Sequence, residues 1–79
     1  MKVTVLFFGA TADITGRRKA EFDAQPASTS RDLFDRVLNE HPRLASHRLL
    51  YSVNEQYASG VETLSDGDEM AIFTAVSGG

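Results

Sequence analysis

The sequence predicts a two-layer α+β domain, in which a hairpin, one main helix and returning strands build a sheet covered on one side. Three observations lead there. Along the chain the patterns run strand, strand, helix, strand, short strand, strand. One segment carries an amphipathic helical period long enough to cover a sheet. The 79 residues and 8.6 kDa bury about 60% of the extended-chain surface on folding, which suffices for one core and not two. A composition of 42% hydrophobic and 24% charged residues is that of an ordinary globular chain. We therefore expect residues 1–79 to form one domain with a flexible tail from about 75 to 79.

Val3-Thr4-Val5-Leu6-Phe7-Phe8 is β-branched and aromatic and stops at Gly9, as a strand does. Lys19-Ala20-Glu21-Phe22-Asp23 alternates polar and apolar, the pattern of a half-buried strand. The connection between them contains Gly16 and has room for a short helical turn. Gln25-Pro26-Ala27-Ser28 ends the second strand. Ser28 or Thr29 then offers a side-chain oxygen to the first helical turn as N-cap. Leu33, Phe34, Val37 and Leu38 share one helix face, with Arg31, Asp32, Asp35, Arg36 and Asn39 on the other. His41-Pro42 stops the helix, because proline disfavours helical geometry at the residue before it. Arg43 to Arg48 is ambiguous. Leu49 to Val53 reads as a strand, Asn54-Glu55-Gln56 as a turn, and Tyr57 as part of a short strand. Ser65-Asp66-Gly67-Asp68 is a tight-turn signal, and the last strand runs from about Glu69 to Thr74.

Strand alternation puts Val3, Val5 and Phe7 on one face and Thr4, Leu6 and Phe8 on the other. In the last strand Met70 and Ile72 oppose Ala71 and Phe73. If the first set of each packs under the helix, Leu6, Phe8 and Phe73 lie on a face without helical cover. Either loops cover that patch or a partner does.

Function classes fall away in turn. With no cysteine there is no disulfide, thiolate metal site or cysteine nucleophile. A net charge of −3 argues against general nucleic-acid binding. The charge is uneven: residues 1–50 hold all eight Lys and Arg and net +2, whereas residues 51–79 hold five acids and net −5. Lys2 and the apolar run to Phe8 have the outline of a signal peptide, but the run is too short and its charge too thin. No stretch approaches membrane-spanning length, and we expect a soluble cytoplasmic protein that binds neither nucleic acid nor membrane. His41 and His47 are too far apart to share one helix turn and read as solvated loop residues. Asp66-Gly67-Asp68-Glu69 lacks the ligand alternation of a calcium loop and reads as a plain turn. No phosphate loop or dinucleotide fingerprint occurs. Arg17-Arg18-Lys19 is too short to imply nucleic acid and reads as a solvated strand edge.

The last residues are Ala75-Val76-Ser77-Gly78-Gly79. A terminal glycine pair is either a frayed end or a functional one. Six extended residues from Thr74 reach about 20 Å, and glycines can thread a channel too narrow for side chains. The terminal carboxylate, with a pKa near 3.5, is ionised at neutral pH and a poor electrophile. It needs activation by another protein, for example as an acyl-adenylate.

The chain resembles the MoaD/ThiS group of β-grasp, ubiquitin-like sulfur carriers, and within it the MoaD branch, the small subunits of molybdopterin synthase. The resemblance spans essentially the whole chain and is carried by four stretches. They are Val3-Thr4-Val5-Leu6-Phe7-Phe8-Gly9, Val53-Asn54, Leu64-Ser65-Asp66-Gly67-Asp68-Glu69 with Met70-Ala71-Ile72-Phe73, and Val76-Ser77-Gly78-Gly79. It implies a mixed β-grasp sheet of four to five strands with one main helix. It also implies that a MoeB-like enzyme uses ATP to adenylate Gly79, that a sulfur donor converts the adenylate to a thiocarboxylate, and that the tail enters a MoaE-like large subunit. Gly79 then carries the sulfur and Gly78 provides slim access. Phe8, Phe73 and Tyr57 are the expected partner anchors, with Val76 and Ser77 in the tail. The carrier itself holds no cofactor permanently. Family members often carry proline after the last strand; Thr74-Ala75 here leaves the tail's exit freer. A carrier for thiamine, cysteine or tRNA thiolation, a ubiquitin-like protein modifier, and an interaction module with an inert tail stand as alternatives.

Overall fold

A computed structural model describes residues 1–75; Val76, Ser77, Gly78 and Gly79 lie outside the described residues. The six predicted elements appear in order, joined by a short helix and a 3₁₀ turn: β1 (Lys2–Phe7), α1 (Ala10–Thr15), β2 (Lys19–Asp23), α2 (Ser30–Glu40), the 3₁₀ turn (Pro42–Ser46), β3 (Leu49–Val53), β4 (Gln56–Tyr57) and β5 (Glu69–Thr74). The five strands form one sheet in the order β2-β1-β5-β3-β4. The first and last strands run parallel at its centre, Thr4 beside Glu69 and Phe7 beside Ile72. The remaining pairings are antiparallel, so the sheet is mixed as expected.

Alternation is realised as read. Val3, Val5, Phe7, Met70 and Ile72 point into the core, where Leu33 and Val37 of α2 and Leu44 of the 3₁₀ turn meet them. Thr29 is the N-cap of α2 and not Ser28. Its hydroxyl accepts from Asp32 N–H at 3.2 Å while the Asp32 carboxylate accepts from Thr29 N–H at 2.9 Å. Ser28 instead donates its hydroxyl to the Gln25 carbonyl at 2.6 Å. The room between β1 and β2 is used by α1, closed by Gly16 in the left-handed conformation (φ 76°). Asn54 and Glu55 form the two-residue turn between β3 and β4 with φ of 49° and 69°, and Gln56 already belongs to the strand.

One sequence expectation is corrected. His47 is exposed, but His41 is half-buried, its ring edge-on to buried Phe7 at 6.0 Å between centroids. The residue that ends α2 thereby also closes the core over Phe7. No helix among the described residues is long and apolar enough to cross a membrane.

The 58–64 segment crosses back to the start of α2. Gly60 is buried there with φ 111°, and its carbonyl accepts from Arg31 N–H at 3.2 Å. A Cβ at position 60 would stand 3.2 Å from both Arg31 Cβ and the Tyr51 hydroxyl. Strain and crowding together predict that Gly60→Ala costs about 1–3 kcal/mol. In a thermal melt that is a fall of roughly 4–8 °C per kcal/mol for a domain of this size.

Candidate functional site

The sheet face opposite α2 stays open. Register aligns Lys19, Leu6, Ala71, Ser52 and Tyr57 across all five strands, with Phe73 opposite Leu50 beside them. Phe8 follows β1 and joins Leu6, Ala71, Phe73, Ser52, Glu55 and Glu69 around one shallow concavity. Loop cover, one of the two alternatives above, is absent over Phe8 and Tyr57 among the described residues: Phe8 is 53% exposed and Tyr57 76%. Phe73 is half-buried, its ring 5.9 Å from that of Tyr57 and tilted by 54°. The structure thus brings Phe8, Phe73 and Tyr57 to one face, while Val76, Ser77, Gly78 and Gly79 fall outside the described residues. β5, which bears Phe73, is the strand that leads into them.

Sequence reasoning missed three contributors. Leu50 is exposed opposite Phe73; alternation within Leu49–Val53 would have placed it there. Thr11 is fully buried, and its hydroxyl accepts from Phe8 N–H at 2.9 Å and lies 2.9 Å from the Ile72 carbonyl. It ties α1 to β1 and β5 and so sets where Phe8 leaves the sheet. No local pattern marks it, because its partners are 3 and 61 residues away.

The third is Glu62. Its carboxylate accepts from Ser30 Oγ at 2.7 Å, from Ser59 N–H and hydroxyl at 2.9 and 3.0 Å, and from Gly60 N–H at 3.0 Å. The Ser30 bond first, then the backbone donors, hold its pKa down from 4.5 to about 2. A carboxylate that binds its proton less readily when folded stabilises the fold fully above its unfolded pKa. That contribution fades as pH falls from 4.5 through about 2. We expect Glu62→Gln to melt below wild type at pH 7 and the gap to close progressively towards pH 2. A gap that persists unchanged at low pH would show that the charge is not what holds the segment.

The acidic last third divides into two groups. Glu62 is committed as described. The Asp66 carboxylate accepts from Lys2 N–H at 2.7 Å, and that of Asp68 from Ser65 N–H at 2.7 Å and Asn54 Nδ2 at 3.0 Å. Asn54 Oδ1 in turn accepts from Glu69 N–H at 3.0 Å. The 65–69 carboxylate cluster is therefore a fastened turn, joined to the end of β3. Glu55 and Glu69 are left exposed at the concavity, where their charge faces any partner.

Comparison with known proteins agrees with this geometry. A family model described as the ThiS family matches residues 5–79. A Mycobacterium tuberculosis protein, a molybdopterin synthase sulfur carrier subunit, is 34% identical over 82 residues, covering 100% of this chain and 99% of its own. The crystal structure of SAMP1 from Haloferax volcanii superposes with a TM-score of 0.87 at 27% identity, with 100% of each chain covered. A chain of the Amycolatopsis orientalis BexX/CysO complex superposes with a TM-score of 0.66 at 29% identity, covering 98% of this chain and 99% of that one.

Proposed function

This chain belongs to the ThiS family of ubiquitin-like sulfur carriers, and on that footing we propose that it is the sulfur-carrying small subunit of a molybdopterin synthase. The observation that carries the pathway is the end-to-end likeness to the Mycobacterium tuberculosis sulfur carrier subunit. In this reading the Gly79 carboxylate attacks ATP in a MoeB-like enzyme, releasing pyrophosphate and forming an acyl-adenylate. Sulfide-level sulfur delivered by a donor attacks the acyl carbon and displaces AMP, leaving a thiocarboxylate, a competent sulfur nucleophile. In the active site of a MoaE-like large subunit the sulfur bonds to cyclic pyranopterin monophosphate. Hydrolysis of the acyl–sulfur bond returns the carboxylate, and the same transfer from a second thiocarboxylated carrier supplies the other sulfur of the molybdopterin dithiolene.

The open sheet face supports the reading from the carrier's side. An apolar patch of Phe8, Phe73, Leu50 and Tyr57 beside β5 would dock a partner so that residues 76–79 start at the interface. Acids, bases and phosphate-binding groups then belong to the partners. The test is to incubate the thiocarboxylated chain with the large subunit and the pterin precursor. Molybdopterin should form with one sulfur lost per carrier, and an unchanged precursor would exclude this pathway.

A second reading, a protein modifier, is favoured by the closeness of the SAMP1 fold. It predicts Gly79 in isopeptide bonds to lysines of other proteins, which mass spectrometry of cell conjugates would detect.

A further inference from the structure

The sheet ends on β2, whose outer side no other strand covers among the described residues. Ala24 N–H donates to the Met1 carbonyl at 2.8 Å and Phe7 N–H to the Arg18 carbonyl at 2.9 Å. Even-numbered residues of this strand therefore bond inward to β1. Alternate residues of an antiparallel strand bond to opposite neighbours, so the backbone groups of Lys19, Glu21 and Asp23 point outward.

The side chains at those positions are exposed and, with Arg17, read plus, plus, minus, minus at every second residue. Read backwards, the series is minus, minus, plus, plus. A second copy laid antiparallel with Ala20 opposite Ala20 puts Lys19 opposite Glu21 and Arg17 opposite Asp23, each twice over. In this register the outward-pointing residues of both copies meet as hydrogen-bonded pairs. A slip of two residues one way sets Glu21 against Glu21, and the other way Lys19 against Lys19. Like charges directly opposite are destabilising, so charge selects one register. Arg17, Lys19 and Glu21 take part in no ion pair among the described residues, and Asp23 meets only Lys2, at 3.4 Å and in solvent.

We propose that β2 is a self-recognition edge through which two copies pair about Ala20, joining two five-stranded sheets into one. The two Lys19–Glu21 rungs exchange backbone hydrogen bonds. The outer positions act mainly as charge pairs, since the Asp23 carbonyl already accepts from Arg36 and that of Arg17 from Thr15 Oγ1 at 3.1 Å. On the helix side Arg18 comes opposite Phe22, a ring that Arg36 covers at 5.1 Å. The pairing is edge to edge, so the open face and the end of β5 remain free in both copies. Sulfur-carrier function is not needed for this proposal.

So short an edge belongs to the small, weak class of interfaces. Sedimentation velocity from about 10 µM to about 1 mM should show a monomer–dimer equilibrium that salt weakens. Lys19→Glu and Glu21→Lys should each weaken association at least about tenfold by setting like charges opposite, with melting temperatures unchanged. Mixing the two variants should restore a dimer, because each reversed position then faces its opposite. A wild type that stays monomeric over that range, a dimer indifferent to either reversal, or a mixture that fails to associate would overturn the proposal.

Discussion

Removing Gly79 should abolish sulfur transfer while leaving the fold untouched. The deletion moves the terminal carboxylate back by one residue, about 3.5 Å of extended chain. Misplacing a reacting group by even 1 Å can cost about a hundredfold in rate, and in the proposed cycle the group has to reach two partners' active sites in turn. We expect at least a hundredfold loss of turnover with the large subunit. Intact mass spectrometry of protein made with its sulfur-transfer machinery should show exchange of one oxygen for sulfur in the wild type and none in the deletion. The melting temperature should not change, since the core lies within residues 3–72. Wild-type thiocarboxylation of the shortened chain would remove Gly79 from the mechanism.

Phe73→Ala should have the largest effect on docking. The ring stands on the central strand of the open face, opposite Leu50, 5.9 Å from the Tyr57 ring and lining the concavity that Phe8 shares. Aromatic residues at the centre of an interface, ringed by lesser contacts, are where truncation costs most. A loss of about 2 kcal/mol or more corresponds to at least about a thirtyfold weaker complex with the large subunit. Phe8→Ala should follow closely. Tyr57→Ala should cost less, because Tyr57 stands on the two-residue edge strand and is 76% exposed. Isothermal titration at two salt concentrations also separates the apolar from the charged contribution. Raising salt should weaken binding in the wild type and less so once Glu55 and Glu69 are neutralised. If neither phenylalanine changes the affinity, the open face is not the docking surface.

The parts of this molecule visible in its sequence are those written in local patterns. Val3 to Phe7 and Glu69 to Thr74 alternate cleanly because each is packed on one face and bare on the other. Leu33, Phe34, Val37 and Leu38 show the helix for the same reason. Thr29 and Ser28 both read as caps, although Asp32, three residues after Thr29, completes a capping box that Arg31, three after Ser28, cannot. The 58–64 segment was opaque. Its order comes from Glu62 collecting donors at Ser30, Ser59 and Gly60, and from the buried positive-φ Gly60, whose carbonyl accepts from Arg31 N–H. Those partners are remote in sequence or irregular in spacing, so no period reports them. The burial of His41 leaves no local signal for a related reason: Phe7, on which it packs, is 34 residues earlier in the chain.

The central position of β5 also bears on force. A partner that draws the end of the chain into a channel pulls along the axis of this strand. β5 is held on one side by β1 in parallel register and on the other by β3 in antiparallel register. Its hydrogen bonds lie across the strand direction, so the pull loads both ladders in shear and all their bonds share the strain at once. An edge strand pulled sideways would instead unzip bond by bond. In the proposed cycle the strand that anchors the reactive end is thus one paired along both edges, and the chain can be tugged at its tip without coming undone.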